Sequence, residues 1–350
     1  NLFTGQGENY TKGAKKTEYI FDSTASTALV RFAAAMESML TPRNQKWHAL
    51  APNDPMLMKD RAVRLYLEQV NDLLFRYRYA PKANFAGQQH QIYMELGAFG
   101  SGCLFVDELA GEPGLRYRAV HLGEAYFMEN HQGQVDKILR KFPLTARQAA
   151  QKWGEDKLPD KVKAALARTP ETEFFFIHCV KPNDLIDNKR VDYRGMEFAS
   201  YYVSVDDPRV LQEGGYNSFP YAVGRYVQSP GEVYGRSPAM EALPSIKTLN
   251  EEKKTALKQG HRQVDPVLLV HDDGIVSTFS LRPGAINGGG VTADGRSLVH
   301  TLPVGNLAVS REMMLDERAS INDAFLVTLF QILVDTPQMT ATEVLERARE

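Results

Sequence analysis

Apolar positions change their spacing along the chain, and the changes mark out its parts. After Asp22-Ser-Thr24, residues Leu29, Phe32, Met36 and Met39-Leu40 recur at helical intervals until Pro42. A longer helix is predicted from Asp54-Pro55 through Val63, Leu67, Val70, Leu74 and Tyr77. A further one follows Pro81 through Phe85, Ile92, Tyr93 and Leu96. At Gly97-Ala-Phe-Gly100-Ser-Gly102 the period falls toward two, and strands are predicted at Cys103–Val106, Leu115–Leu122, Ala125–Met128, Val135–Phe142, Phe174–Val180 and Phe198–Val205. Between them, Thr145 and Gln148 have the spacing of a capping box, opening a short helix that Gly154 closes.

Beyond Tyr216 the pattern becomes helical again. Ser237-Pro238 has the form of a helix entry, and 239–264 is helix-compatible, with Pro244 expected to kink or restart it near Ser245. A stretch of short strands and glycine runs from Asp265-Pro266 to Pro303, followed by a second helical stretch at 311–334. The two helical stretches bracket a small β module, so they are expected to run antiparallel. The first is unusually polar: between Ser245 and Val264 only Ile246, Leu249, Ala256, Leu257 and Val264 are apolar. Such a helix is wet on one side or packed against copies of itself.

The 350 residues suggest about two domains. Hydrophobic residues make up 43% and charged residues 24%, the balance of a folded protein rather than a disordered or fibrous one. A net charge of −2 removes the general basic surplus of a nucleic-acid trap, so any DNA contact must be local or weak. Cys103 and Cys179 are too few for a disulfide framework, which points to a reducing compartment. The chain starts at Asn1 with a polar, Gly- and Lys-containing arm and no secretory pattern, and its densest apolar run, 321–334, is too short to span a bilayer. Thr340 and Glu343 form another capping-box spacing, so a helix is expected to begin there and a further segment to follow it.

Chemistry is sparse. There is no phosphate-cradling G-x-x-x-x-G-K-[ST], the eight histidines show no H-E-x-x-H, and Asp272-Asp273-Gly274 and Asp294-Gly295 are better read as turns than as metal loops. No catalytic residue, metal site or cofactor is expected, although a nucleophile and base brought together from distant positions would escape this reading. Lys247, Lys253, Lys254, Lys258, His261 and Arg262 follow Glu241, Glu251 and Glu252 along the first helix, which suits the helix dipole and equally suits a DNA backbone.

Against that background, Tyr234-Gly-Arg-Ser-Pro-Ala-Met-Glu-Ala-Leu-Pro-Ser-Ile-Lys-Thr-Leu-Asn250 resembles the head-to-tail connecting, or portal, proteins of short-tailed double-stranded DNA bacteriophages. Phe21-Asp-Ser-Thr-Ala25, Leu40-Thr-Pro42 with Trp47, Phe99-Gly-Ser-Gly-Cys-Leu-Phe105, Leu122-Gly-Glu-Ala-Tyr-Phe127, Arg140 to Gln148 and Met339-Thr-Ala-Thr-Glu343 agree in order along nearly the whole chain. The resemblance implies an α+β, portal-type subunit assembling as a dodecameric ring around a DNA channel at one capsid vertex. In those terms 1–236 is the wing, 237–264 the first stem helix, 265–305 the clip, 306–334 the second stem helix and 335–340 the channel loop. Residues 341–350 begin a long wing helix, and no crown follows.

It also implies a non-enzymatic role in capsid assembly, genome packaging, tail attachment and ejection. The implied partners are further copies of the chain, double-stranded DNA, the terminase large subunit, a tail adaptor, and the major capsid and scaffolding proteins. The implied location is the virion, after assembly in the bacterial cytoplasm and without membrane insertion. Candidate channel residues are Lys253, Lys254, Lys258, Arg262, Thr336 and Gln338. Candidate docking residues are Arg282, Ile286, Asn287, Gly288, Gly289, Gly290, Asp294 and Arg296. Two other readings stay open: a soluble two-domain enzyme with its site between the β-rich region and the paired helices, and a vertex or tail adaptor without a channel.

Overall fold

The Asp22 carboxylate accepts a hydrogen bond from the Thr24 amide at 2.9 Å, and the helix expected there runs as α1, Thr24–Leu40, burying Ala28, Phe32 and Ala33. The computed structural model describes residues 19–335, apart from 110, 112, 188, 271–279, 281, 283, 287–289 and 304–306. The expected arm at the start of the chain (residues 1–18), the Asp272-Asp273-Gly274 turn and the capped helix after Thr340 lie outside the described residues.

The helix expected from Asp54 is divided. A 3₁₀ turn, Pro55–Lys59, precedes α2, Arg61–Arg78, because Asp60 adopts extended backbone and its carboxylate accepts from Ala62 N. The α3 helix, Phe85–Phe99, ends at Gly100, whose φ of +76° suits glycine.

The strands follow: β1 (Ser101–Glu108), β2 (Leu115–Val120), β3 (Ala125–Glu129) and β4 (Val135–Thr145). After the helices α4 (Ala146–Trp153) and α5 (Asp160–Arg168) come β5 (Glu173–Pro182), β6 (Phe198–Ser204), β7 (Val210–Tyr216) and β8 (Tyr221–Arg225). They form two antiparallel sheets, one of three strands ordered β2-β1-β8 and one of five ordered β3-β4-β5-β6-β7. The Thr145–Gln148 capping box is present in both directions, and Gly154 caps the C-terminus of α4 at φ +83°.

Alternation places Cys103 and Phe105 of β1, Val120 of β2 and Tyr221 of β8 against Ala125, Phe127, Ile138 and Val180 of the five-stranded sheet. The same face of that sheet also carries Phe142, Phe176 and Tyr202, which α4 and α5 cover with Ala146, Ala149, Trp153 and Val162. The inner face of the five-stranded sheet is therefore roofed partly by strands and partly by helices. The other side of the small sheet packs on α3 through Leu104, Tyr117, Phe85 and Ile92. The aromatic run 174–176 lies in β5 and alternates in burial: Phe176 is fully buried while Phe175 is 46% exposed.

After Ser237, whose hydroxyl accepts from Met240 N at 3.1 Å, the short α6 (Pro238–Glu241) gives way to α7 (Leu243–Val264), with Pro244 harmlessly in its first turn. Then come β9 (Leu268–Val270), paired antiparallel with β10 (Val299–Thr301), α8 (Leu307–Ala324) and α9 (Val327–Asp335). The second helical stretch is thus two helices, broken where Leu326 takes a left-handed φ of +56°. The described residues divide into two compact units, one built mainly on Thr27–Glu241 with 324–335, the other on Ala242–Asp323 with 19–26.

Candidate functional site

Within the second unit, α7 and α8 run antiparallel, as their sequence order predicts. Ser245 and Ser320 hydroxyls lie 3.5 Å apart, and further along Glu252 and Glu317 face each other, so that burial first and the Glu317 charge second raise the Glu252 pKa. Leu249 is the buried residue of α7, which accounts for a helix so poor in apolar positions. Asn250 uses both ends of its amide to hold residues 19–21, accepting from Phe21 N at 2.8 Å and donating to Tyr19 O at 3.0 Å.

At ~100° per residue, Lys247, Glu251, Lys254, Lys258 and Arg262 share one face of α7, whereas Lys253 lies ~140° around from Lys258. The four described channel candidates therefore do not act as one set. Lys254 is neutralised by both oxygens of Glu251 at 3.0 Å. Lys258 and Arg262 line a recess of about 260 Å³ together with Thr255, Gln259, Val267 and Leu302. Nearer the helix start, an open groove of about 710 Å³ lies between Lys247, Glu251 and Thr255 of α7 and Ser310 and Met313 of α8. Thr336 and Gln338 lie outside the described residues.

The docking candidates fall in two turns. Gly284 has φ +79° and Ala285 N donates to Arg282 O at 3.0 Å, leaving Ile286 99% exposed. Asp294-Gly295 is a hairpin turn, as expected, closed by Thr292 N to Arg296 O at 2.9 Å and the Val291–Ser297 bridge. Arg282, Asp294 and Arg296 are exposed, and Gly290 accepts from Leu298 N at 3.0 Å. Asn287, Gly288 and Gly289 lie outside the described residues.

Sequence reasoning missed the most concentrated chemistry, which sits in the first unit between the sheets. Register places Arg118 opposite Phe105 and Arg116 opposite Asp107 across β1–β2, and Arg140 opposite His178 across β4–β5. Arg140 is 4% exposed and pairs with Glu124 through Nε at 3.1 Å and Nη2 at 3.0 Å. The His178 ring is held at both nitrogens, Nδ1 2.6 Å from the Tyr221 hydroxyl and Nε2 2.9 Å from the Ser200 hydroxyl. Burial, then the Lys152 and Arg140 charges, pushes its pKa down to about 3. Ser200 and His178 are 4% and 2% exposed, so the pair offers no open face to a substrate. The available signal was the alternation Arg116-Tyr-Arg118 inside a strand, which puts two charges on one face.

Among the described residues no group of three His, Cys, Asp or Glu side chains is placed to hold a metal ion, and no helix is long and apolar enough to cross a membrane.

Residues 2–350 match the family described as bacteriophage head to tail connecting protein. The chain is 30% identical over 351 residues to the probable portal protein of Bordetella phage BPP-1, covering 98% of this chain and 62% of that protein. It is 28% identical over 344 residues to the portal protein of Salmonella phage epsilon15, covering 96% of this chain and 61% of that protein. It therefore spans about three fifths of the length of these curated relatives.

Proposed function

The chain belongs to the bacteriophage head to tail connecting protein family, and from that premise we propose that it is a portal subunit, copies of which close into a ring around a DNA channel at one capsid vertex. The observation that carries this reading is the family match over residues 2–350. In it, 1–236 is the wing, 237–264 the first stem helix, 265–305 the clip, 306–334 the second stem helix and 335–340 the channel loop. The ring nucleates capsid assembly, passes double-stranded DNA inward during packaging and outward during ejection, and stays in the virion. Its clip docks the terminase large subunit during filling and a tail adaptor afterwards. The role is structural, with the energy for DNA movement supplied by the motor.

Three features support the reading. The outward face of the five-stranded sheet leaves Tyr126 54%, Met128 39% and Phe175 46% exposed, apolar surface that a neighbouring copy would cover. The α7 helix, with Leu249 as its buried residue, gains partners if copies stand side by side. A near-neutral chain also suits a channel, because each neutralised phosphate adds an attraction that sliding DNA must break at every step.

The test is native mass spectrometry and electron microscopy of the natively expressed chain. A closed cyclic ring of about twelve copies is expected; a stable monomer or dimer would overturn the proposal.

A further inference from the structure

Where the strand roof over the five-stranded sheet meets the helical roof, a cavity of about 60 Å³ remains. Phe105 and Asp107 of β1, Arg116 and Arg118 of β2, Arg140 and Phe142 of β4, Tyr202 of β6 and Lys152 of α4 line it. The Lys152 ammonium sits 3.8 Å over the Tyr202 ring, and the Arg140 guanidinium 4.8 Å over Phe142. The deep end is formed by Arg140 and half-buried Arg118, and Arg116 and Lys152 are exposed as residues, although the Lys152 ammonium is turned inward against the Tyr202 ring.

The cations outnumber their compensation. Among the described residues the Arg140–Glu124 pair is the ion pair at this cavity, and Arg116, Arg118 and Lys152 have none. Asp107 accepts instead from the Glu108 amide at 3.0 Å. Four cations against the carboxylates of Asp107 and Glu124 leave a surplus of two positive charges. The crowding is felt within the cluster. Burial first, and then Arg140, Arg118 and Arg116 against the opposing pull of Asp107, lower the Lys152 pKa to about 8. Burial and then Arg140 also lower that of Arg118. Like charges held this close in a partly desolvated site cost stability until an anion arrives.

Size selects the anion. The space exceeds the roughly 10–15 Å³ that one water needs and is far below the roughly 300 Å³ of the smallest drug-sized pockets. Guanidinium forks match the oxygens of a tetrahedral oxyanion, and the surplus of two charges matches a dianion. We propose that this cavity binds one free inorganic dianion of the phosphate class, which ties β2, β4 and α4 together where the two roofs meet.

Sulfate is the probe, since its charge does not change between pH 7 and 9. Isothermal titration of the full chain at constant ionic strength in chloride should give saturable binding of one sulfate per subunit. Arg118→Gln and Lys152→Met should each weaken it by about tenfold or more, about 1.4 kcal/mol per tenfold. Arg147→Gln, on the same helix but paired with Glu171 at 2.8 Å away from the cavity, should leave it unchanged. Affinity should fall by nearly tenfold from pH 7 to 9 as Lys152 deprotonates, and this fall should vanish in Lys152→Met. Sulfate acting no differently from chloride, or binding indifferent to Arg118→Gln and Lys152→Met alike, would overturn the proposal. Should Arg118→Gln fail to fold by circular dichroism, the exposed Lys152 still decides it.

Discussion

Gly100 and Gly235 meet backbone to backbone: a Cβ placed on Gly235 would stand 2.1 Å from the Gly100 carbonyl oxygen, and one on Gly100 2.4 Å from that of Gly235. Around them Gly235 N donates to Ser101 Oγ at 2.8 Å, Tyr226 N to Gly100 O at 2.9 Å, and Ser237 Oγ to Ala98 O at 3.0 Å. Two of the stretches that carry the family resemblance, 99–105 and 234–250, are thus halves of one contact. This is why glycine stands at both positions.

Backbone atoms have no rotamer to escape into, so Gly235→Ala and Gly100→Ala should each cost about 3 kcal/mol or more, Gly100→Ala with added strain from its positive φ. Gly102→Ala, which meets the Cγ2 of buried, β-branched Ile92 at 2.6 Å and the Ile92 carbonyl oxygen at 3.3 Å, should cost about 1–3 kcal/mol. Gly214→Ala, with open space around it, should stay within about 0.5 kcal/mol of the parent. Urea midpoints give the order; a Gly235→Ala chain as stable as Gly214→Ala would refute it.

Local signals in the sequence were legible because they act locally. The Thr145 capping box, the Gly154 cap, the Asp294-Gly295 turn and the change of period after Gly97 all depend on neighbours within a few residues. The break at Leu326 escaped, because Phe325-Leu326 contains neither glycine nor proline, and Phe325 is 1% exposed against Phe32 with ring centroids 6.3 Å apart. Tertiary packing there overrides a pattern that reads as continuous helix. The cavity escaped for a different reason: Arg116, Arg118, Arg140 and Lys152 each look like a solvated charge until strand register and sheet stacking turn them toward one another.

Two buried groups with opposite shifts shape the pH dependence of stability. Glu95, with Oε2 unpartnered, is raised from 4.5 to about 8 by burial and then by Glu124. His178 is lowered from 6.5 to about 3. Between pH 4.5 and 6.5 unfolding releases a proton from Glu95 and takes one up at His178, so their effects cancel. From 6.5 to 8 the folded chain holds the Glu95 proton that the unfolded chain has lost, which lowers stability with rising pH by up to about 1.4 kcal/mol per unit, and Lys152, lowered to about 8, opposes it near the top of that window. Below 4.5 the His178 effect is no longer cancelled, and with Asp22, whose pKa is lowered below 3.8, acting in the same direction, stability should fall as pH drops toward 3. Glu95→Gln should flatten the alkaline slope of the urea midpoint, and an unchanged slope would clear Glu95 of this role.

The face assignments on α7 rank the channel candidates. If that helix faces DNA in the ring, Lys258→Gln with Arg262→Gln should lower the slope of log retention against log salt by about 0.9 per lost phosphate contact. Lys254→Gln should do less, its charge being already met by Glu251. Lys253→Gln, on another side of the helix, should do nothing. Equal effects from Lys253→Gln and the Lys258/Arg262 pair would place the channel on a different face.

Ile286 offers the sharpest test of docking. At 99% exposure it contributes no burial to its own chain, and its flanking turn is held by backbone, through Gly284 and the Ala285 N to Arg282 O bond. Ile286→Asp should therefore leave the melting temperature and the ring unchanged, within the roughly 0.5 kcal/mol typical of surface replacements. If this turn docks the terminase or a tail adaptor as proposed, an isoleucine buried there contributes about 1.5–3 kcal/mol, and removing it and adding a charge should weaken capture by tenfold or more. Co-sedimentation of the purified ring with either partner reads the effect. Loss of the ring would put this turn between subunits, and intact ring with intact capture would remove Ile286 from the docking surface.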